Sequence, residues 1–267
     1  MMATPATPSC PALDDAVEIC GFKVSTHSLA IHADTISRMA KGGRGLWLLT
    51  LNLEMVARAK HDPGYRALLR QTDLITADGM PLVWASRLKD RARPIRGRTA
   101  GVDLVVEILT SPCSPRFGII GGTDPRRALQ VLGVPSDDAY IYDGRVELTD
   151  VWIDQIVQDL QAHGTQLLFI ALGAPQPDLL IAKLRPLLPN VVMIGVGGSF
   201  DFIAGIKPRA PRWMQHAGLE WLYRLSAEPR RLWRRYLLLY PSGVLWLASD
   251  ILKSNFTGLR DPTSHDP

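Results

Sequence analysis

The sequence predicts an α/β fold, in which a largely parallel sheet carries helices on its faces and is followed by a basic helical segment. Short apolar runs alternate with longer amphipathic ones from about residue 18 to about residue 202, the pattern of strand and crossover helix. The runs are almost uninterrupted in their apolarity, as strands buried on both faces must be. Polar and glycine-rich residues gather where the runs end.

The strand candidates in order are 46–51 (LWLLTL), 74–77 (LITA), 117–120 (FGII), 140–142 (YIY), 167–172 (LLFIAL) and 191–196 (VVMIGV). Between them, helix starts are marked by Thr26 or Ser28, by Asp124-Pro125 as N-cap and first helical residue, and by Thr149 or Asp150 ahead of Trp152, Ile153, Ile156, Val157 and Leu160. Thr50 and Asn52 close the first run, Asp78-Gly79 the second, Gly121-Gly122 the third, Gly173 the fifth and Gly197-Gly198 the last. Open α/β sheets bind ligands beyond the carboxyl ends of their strands, where loop N–H groups can meet phosphate, so a nucleotide-type ligand is expected there.

Beyond Gly205 the character changes. Residues 210–225 read as one helix, Pro229 interrupts, and 230–240 read as another before Pro241-Ser242-Gly243. Between Lys207 and Arg235 eight Lys/Arg face only Glu220 and Glu228, a local charge of +6 that leaves the rest of the chain at −2. A near-neutral body joined to a basic segment points to an anionic partner. Trp213, Trp221, Trp233 and Trp246, four of the seven tryptophans, share this region with the arginines, a pairing that suits a lipid headgroup boundary. The apolar run 236–248 contains Pro241 and is shorter than the ~20 residues a bilayer needs, so peripheral attachment to a membrane surface is expected. Nucleic acid is disfavoured as the partner, because the arginines are interleaved with aliphatic residues and no recognition motif is present.

Cys10, Cys20 and Cys113 form no Cys-x-x-Cys pair, which suits a reducing compartment, with the cytoplasm as default. No His-x-x-x-His and no Asp-x-Asp motif is present to hold a metal, and Gly118-Ile-Ile-Gly121-Gly122 is not the dinucleotide fingerprint, which disfavours an NAD(P)-type oxidoreductase. No cofactor is implied.

The stretches Thr50-Leu-Asn52-Leu-Glu54, Thr76-Ala-Asp78-Gly79-Met-Pro, Arg98-Thr-Ala-Gly101-Val-Asp103, Gly195-Val-Gly-Gly198-Ser-Phe-Asp201-Phe, Gly218-Leu-Glu-Trp221-Leu-Tyr-Arg224 and Glu228-Pro-Arg-Arg231 occur in that order. Together they resemble the WecG/TagA/CpsF glycosyltransferases. The resemblance implies an inverting, metal-independent enzyme that passes a hexose from a uridine diphosphate (UDP) sugar to a polyprenyl-diphosphate-linked saccharide in cell-surface polysaccharide synthesis. It also implies a Rossmann-like core and a C-terminal membrane-associating appendage. The chain then divides into a tail over 1–16, a nucleotide-sugar-binding catalytic domain over 17–205, a basic amphipathic appendage over 206–256 and a second tail over 257–267. A homo-oligomer is left open.

Such a transfer needs a base for the acceptor hydroxyl. Asp78, in a glycine-flanked turn at a strand end, is the best-placed carboxylate, and the resemblance points to the same residue; the competing role is a cap on the helix that begins near Pro81. Thr50 and Asn52, two apart on a strand, project from one face. The resemblance assigns them to donor binding, whereas by themselves they also fit strand-end turn formers. Positive charge for the departing diphosphate must come from side chains or helix N-termini: Arg98 is one candidate, and the family pattern brings Arg224, Arg231 and Arg234 over the site, with a solvated or headgroup-binding face as the alternative. Where the family shows Gly-x-Pro-x-Gln-Glu, this chain has Gly173-Ala-Pro175-Gln176-Pro177-Asp178. Gln176 is then the substitute for the displaced glutamine, one position early. The departure keeps a non-catalytic nucleotide-sugar-binding protein as the alternative. Asp201 is a second carboxylate for the site or a helix cap.

Overall fold

A computed structural model describes residues 15–257, without the side chains of the last three. Eight strands, β1 (Ala16–Ile19), β2 (Phe22–Ser25), β3 (Leu46–Leu51), β4 (Leu74–Ala77), β5 (Phe117–Gly121), β6 (Tyr140–Tyr142), β7 (Leu167–Ala171) and β8 (Val192–Gly195), form one sheet in the order β1-β2-β4-β3-β8-β7-β5-β6. Only β1 and β2 pair antiparallel; the other pairings are parallel. The six apolar runs are thus strands within a residue of their expected ends. The β1–β2 hairpin has no counterpart among the candidates; Ala16, placed in the expected N-terminal tail, opens it, and most of both terminal tails lies outside the described residues.

Side chains alternate across the sheet and bury both faces. Leu46 and Leu48 of β3, with Phe117, Phe169 and Ile194, pack against α1 (Leu29–Lys41), α5 (Gly101–Leu109), α6 (Pro125–Leu132) and α9 (Ser199–Ile203). On the opposite face Trp47, Ile120, Leu168 and Met193 meet α7 (Asp150–His163) and α8 (Gln176–Leu184), while Leu49, Leu51 and Ile75 meet α2 (Leu53–His61), α3 (Pro63–Leu69) and α4 (Met80–Lys89). The helix starts follow local chemistry. Asp124 accepts the Arg127 N–H at 3.0 Å and Thr149 the Trp152 N–H at 3.4 Å, while Ser28 precedes α1 without a side-chain cap.

The C-terminal segment differs from its expected form in two places. The helix expected over 210–225 is split into α10 (Arg212–His216) and α11 (Glu220–Ala227). Gly218 lies between them at φ +67, and a Cβ there would sit 2.5 Å from the Trp84 ring, so turn and packing both require glycine. After α12 (Pro229–Arg234) the chain does not stop at Pro241. A π-helical turn, Arg235–Leu239, leads into α13 (Tyr240–Thr257) with Pro241 in its first turn. The wider π turn falls where the proline lacks an N–H.

This segment packs on the body of the protein: α13 lies against α2 and α4, and Leu247 belongs to the core beneath them. Gly243 allows the approach, since a Cβ on it would meet Ala57 Cβ and Leu53 O, each at 3.0 Å. Asp250 fastens the far end, accepting the Cys20 N–H at 2.8 Å and Lys89 Nζ at 2.5 Å. We therefore expect Gly243→Leu to wedge α13 away from α2 and to destabilise the protein by about 1–3 kcal/mol, the usual cost of overpacking. A thermal melt unchanged from the parent would show that this contact is dispensable.

Candidate active site

Four strands that neighbour one another, β4, β3, β8 and β7, end side by side. Their carboxyl ends form the floor of a cleft whose roof is the C-terminal segment. Two cavities meet there. The inner one, about 220 Å³, is bounded by Thr50, Asn52, Asp78, Gly173, Pro177 and the Gly195–Ser199 turn below, and by Arg224, Arg231 and Arg235 above. The outer one, about 540 Å³, is walled by Met80, Trp84, Arg98, Trp221, Tyr236 and Leu245 among others. Asp78 lines both.

Asp78 is held by backbone: its N–H donates to Leu51 O at 2.7 Å, and Thr99 N–H donates to Ala77 O beside it at 2.7 Å. It does not cap the following helix, because Gly79 occupies that position and α4 has no side-chain cap. Among the described residues no group hydrogen-bonds the carboxylate. Burial pushes its pKa up to about 6, and the Glu220 and Asp103 carboxylates push the same way against Arg224 and Arg98. The outcome is a carboxyl group that changes charge near neutral pH.

The other expected site residues separate into two groups. Thr50 is buried and donates its hydroxyl to Gly195 O at 3.1 Å. Asn52 caps α2 by accepting the Met55 N–H at 3.1 Å. Both line the inner cavity, so strand-end structure and ligand contact are not exclusive: the Asn52 amide N–H groups and the Thr50 lone pairs remain for a ligand. Arg98 is committed to Glu220 at 2.7 Å, to Gln215 and to Asp103 at 3.5 Å. Arg224 lines both cavities, pairs with Glu220 and lies 4.8 Å from the Phe202 ring centroid. Asp201 accepts Lys207 Nζ at 2.5 Å and the Thr123 N–H at 2.9 Å. Burial acts to raise its pKa, yet those two partners hold it below the usual carboxylate range, which makes it a structural anion at the cavity wall.

Two expected positions fall away from the cleft. Arg234 is exposed, lies over the Trp233 ring at 5.3 Å and lines neither cavity. The turn of the helix brings Arg235 inward instead, while Arg231, though largely exposed, lines the edge of the inner cavity. Arg235 lines both cavities and pairs with the buried Glu54 at 2.6 Å, and Arg231 pairs with Glu228 at 2.8 Å. Gln176 is likewise exposed and outside the lining, while Pro177 presents its ring to the inner cavity. Behind it Asp178, 1% exposed, accepts the Tyr65 hydroxyl at 2.7 Å. Burial raises Asp178 to about 6 against the Tyr65 bond and Arg58.

Sequence reasoning missed Glu220, Glu54 and Lys207 as cleft residues. Glu54 and Glu220 stand inside motifs already singled out, and an acidic residue in an otherwise basic or apolar motif is the signal that could have found them. Gly197 and Gly198 line the inner cavity with N–H groups that bond no backbone carbonyl among the described residues, a turn suited to an anion. Among the described residues no group of three or more His, Cys, Asp or Glu could hold a metal ion.

Comparison with known proteins gives this geometry a context. The family described as "Glycosyl transferase WecG/TagA/CpsF family" matches residues 17–256. The chain belongs to that family. A curated member from Bacillus spizizenii (strain ATCC 23059 / NRRL B-14472 / W23) is 31% identical over 237 residues, covering 83% of this chain and 88% of its own length; it is named N-acetylglucosaminyldiphosphoundecaprenol N-acetyl-beta-D-mannosaminyltransferase. Membership in the WecG/TagA/CpsF glycosyltransferases fits a cleft at the carboxyl edge of a parallel sheet. Among the described residues no helix is long and apolar enough to cross a membrane.

The raised pKa has a sign that can be tested. A carboxyl group near 4 unfolded and near 6 folded keeps its proton longer in the native state, so stability is full below about 4, falls as pH rises to about 6, and stays reduced above. Asp78→Asn removes that loss and should stabilise the protein at pH 7 by up to about 3 kcal/mol, while changing little at pH 3.5. Denaturant melts at the two pH values measure the difference; equal effects at both would contradict the raised pKa. Glu220→Gln should lower the Asp78 pKa, read from its carboxyl carbon by NMR titration, because one repelling charge is gone and Arg98 and Arg224 are released.

Proposed function

We propose that this protein is an inverting, metal-independent hexosyltransferase that moves a sugar from a UDP-sugar to a polyprenyl-diphosphate-linked saccharide, working as a peripheral protein at the cytoplasmic face of a membrane. The observation that carries the reading is the position of Asp78. One carboxylate, with a pKa near 6, stands between an inner cavity rich in glycine N–H groups and arginines and an outer cavity open to a second substrate.

The chemistry follows from that placement. The nucleotide diphosphate of the donor fits the inner cavity, against the Gly195–Ser199 turn, Arg224, Arg231 and Arg235, with Thr50 and Asn52 toward its sugar or ribose. The acceptor hydroxyl approaches from the outer side, gives its proton to Asp78 and attacks the anomeric carbon as the diphosphate leaves from the opposite face. Attack and departure in line invert the anomeric centre. Arginines meeting the growing charge on the leaving oxygens take the place a metal would fill. The B. spizizenii relative is named for a lipid-diphosphate-linked acceptor and a β-linked product, and a single displacement on an α-linked donor gives that anomer. The hydrophobic rim and basic surface of the C-terminal segment suit attachment to an anionic membrane.

A second reading, a nucleotide-sugar-binding protein without turnover, draws on the exposed Gln176 and the apolar Pro177 at the cavity wall. Acceptor-dependent release of UDP separates the two.

Asp78→Asn should bind the UDP-sugar as the parent does yet lose at least about a hundredfold in turnover, since a positioned base contributes about 10²- to 10⁴-fold. In the parent, kcat/KM should fall about tenfold per pH unit below about 6, where the base is protonated, and level off above. A variant turning over at more than a tenth of the parental rate would remove Asp78 from the role of base.

A further inference from the structure

The reaction proposed above uses the inner cavity and the inner end of the outer one. The transfer step itself needs only the acceptor hydroxyl at that inner end, and the outer cavity, about 540 Å³ in all, extends beyond it. Its two ends differ in chemistry. Asp78, Arg224 and the buried Tyr236 line the inner cavity as well and so mark the inner end, with Arg98 joined to it through Glu220, whereas Met80, Trp221, Val244 and Leu245 line the outer cavity alone and give it carbon surface. The mouth itself is apolar: Trp84, Val244 and Leu245 line the cavity and are also 41%, 50% and 66% exposed. Leu237 and Leu238, 57% and 65% exposed in the π turn, continue apolar surface on the same segment.

Single exposed leucines are ordinary, but an apolar-walled cavity with an apolar rim indicates an apolar ligand group. Water in such a space has few polar partners, so filling it with hydrocarbon is favourable. At the inner end Arg98 and Arg224 share Glu220, and the buried Arg224 Nε has no hydrogen-bond partner among the described residues, which leaves it a donor for an anionic group. A ligand that is anionic beside its sugar and hydrocarbon beyond it matches the cavity from one end to the other.

We infer that the outer cavity binds the first isoprenoid units of the lipid-linked acceptor, which enter over the Val244–Leu245 rim while the diphosphate meets the arginines of the inner end. The assignment rests on the proposed transfer reaction. It gives α13 a part in acceptor selection: one wall of the subsite is the same helix that packs on α2, so the enzyme reads hydrocarbon next to the diphosphate as well as the saccharide.

The test uses the full-length protein without vesicles or detergent. Acceptors carrying one saccharide diphosphate and either a methyl group or one, two or three isoprene units are supplied below their aggregation concentrations. KM should fall at least about tenfold from the methyl to the two-isoprene acceptor, because each buried methylene is favourable by about 0.8 kcal/mol, and kcat should change little. Val244→Trp, which fills the rim, should shrink that methyl-to-isoprenyl ratio to less than about threefold, and its thermal melt beside the parent's checks the fold. A KM independent of tail length, or a ratio untouched by Val244→Trp, overturns the assignment. So does a gain that appears only when vesicles are added, which would place the tail on the membrane, or only at high protein concentration, which would place a second copy over the rim. Calorimetric binding of the same series separates this assignment from the reaction it rests on. Tail-dependent Kd without turnover supports the cavity and sinks the transfer, whereas turnover without tail dependence does the reverse.

Discussion

The arrangement depends on one packing contact, the docking of the C-terminal helix against α2 and α4. A parallel sheet ends in an open edge, and at an open edge a carboxylate such as Asp78 would be solvated and ionised at an ordinary pKa. Gly243 on Ala57 and Leu53, Leu247 in the core, and Asp250 on Cys20 and Lys89 bring the segment down over that edge. Docking encloses the cleft, delivers Glu220, Arg224 and Arg235 to it, and withdraws water from Asp78. Proton affinity, cation placement and the apolar outer wall are therefore consequences of the same contact.

Charge inside the enclosure is matched. Arg98 and Arg224 share Glu220, Arg235 holds Glu54 and Lys207 holds Asp201, while Arg231 and Glu228 pair at the exposed rim. Enclosed cations without partners would be costly, so each carboxylate fixes an arginine or lysine in place before any ligand arrives. Preorganisation of this kind suits a site where charge develops on a leaving diphosphate, because the dipoles and cations need little rearrangement. Asp78 alone lacks a hydrogen-bonded partner in this group, and that sets it apart chemically from Asp201, its neighbour across the inner cavity.

Much of the fold could be read from sequence because buried parallel strands leave a plain signal: LWLLTL and LLFIAL can hardly be anything else. The β1–β2 hairpin was not legible, since each strand has four residues and its turn is Cys20-Gly21, without a strong turn pair. Residue type and strand end sufficed to single out Asp78, Thr50 and Asn52, which the structure brings to one cavity. Helical geometry decided the rest. Whether Arg234 or Arg235 faces the cleft depends on how α12 sits on the body and runs into a π-helical turn, and a sequence periodicity of 3.6 does not encode either. Gln176 was expected by substitution from a neighbouring position, but at the first turn of α8 one residue of displacement rotates a side chain by about 100°, which carries Gln176 to the surface and brings Pro177 inward.

The most direct measurement is a crystal structure of the protein with UDP and an acceptor analogue bearing a short isoprenoid tail. The account places the acceptor hydroxyl within about 3 Å of an Asp78 carboxylate oxygen, with the UDP diphosphate on the inner side against the arginines. An acceptor hydroxyl bonded to a different carboxylate, with Asp78 shielded from both ligands, would contradict it.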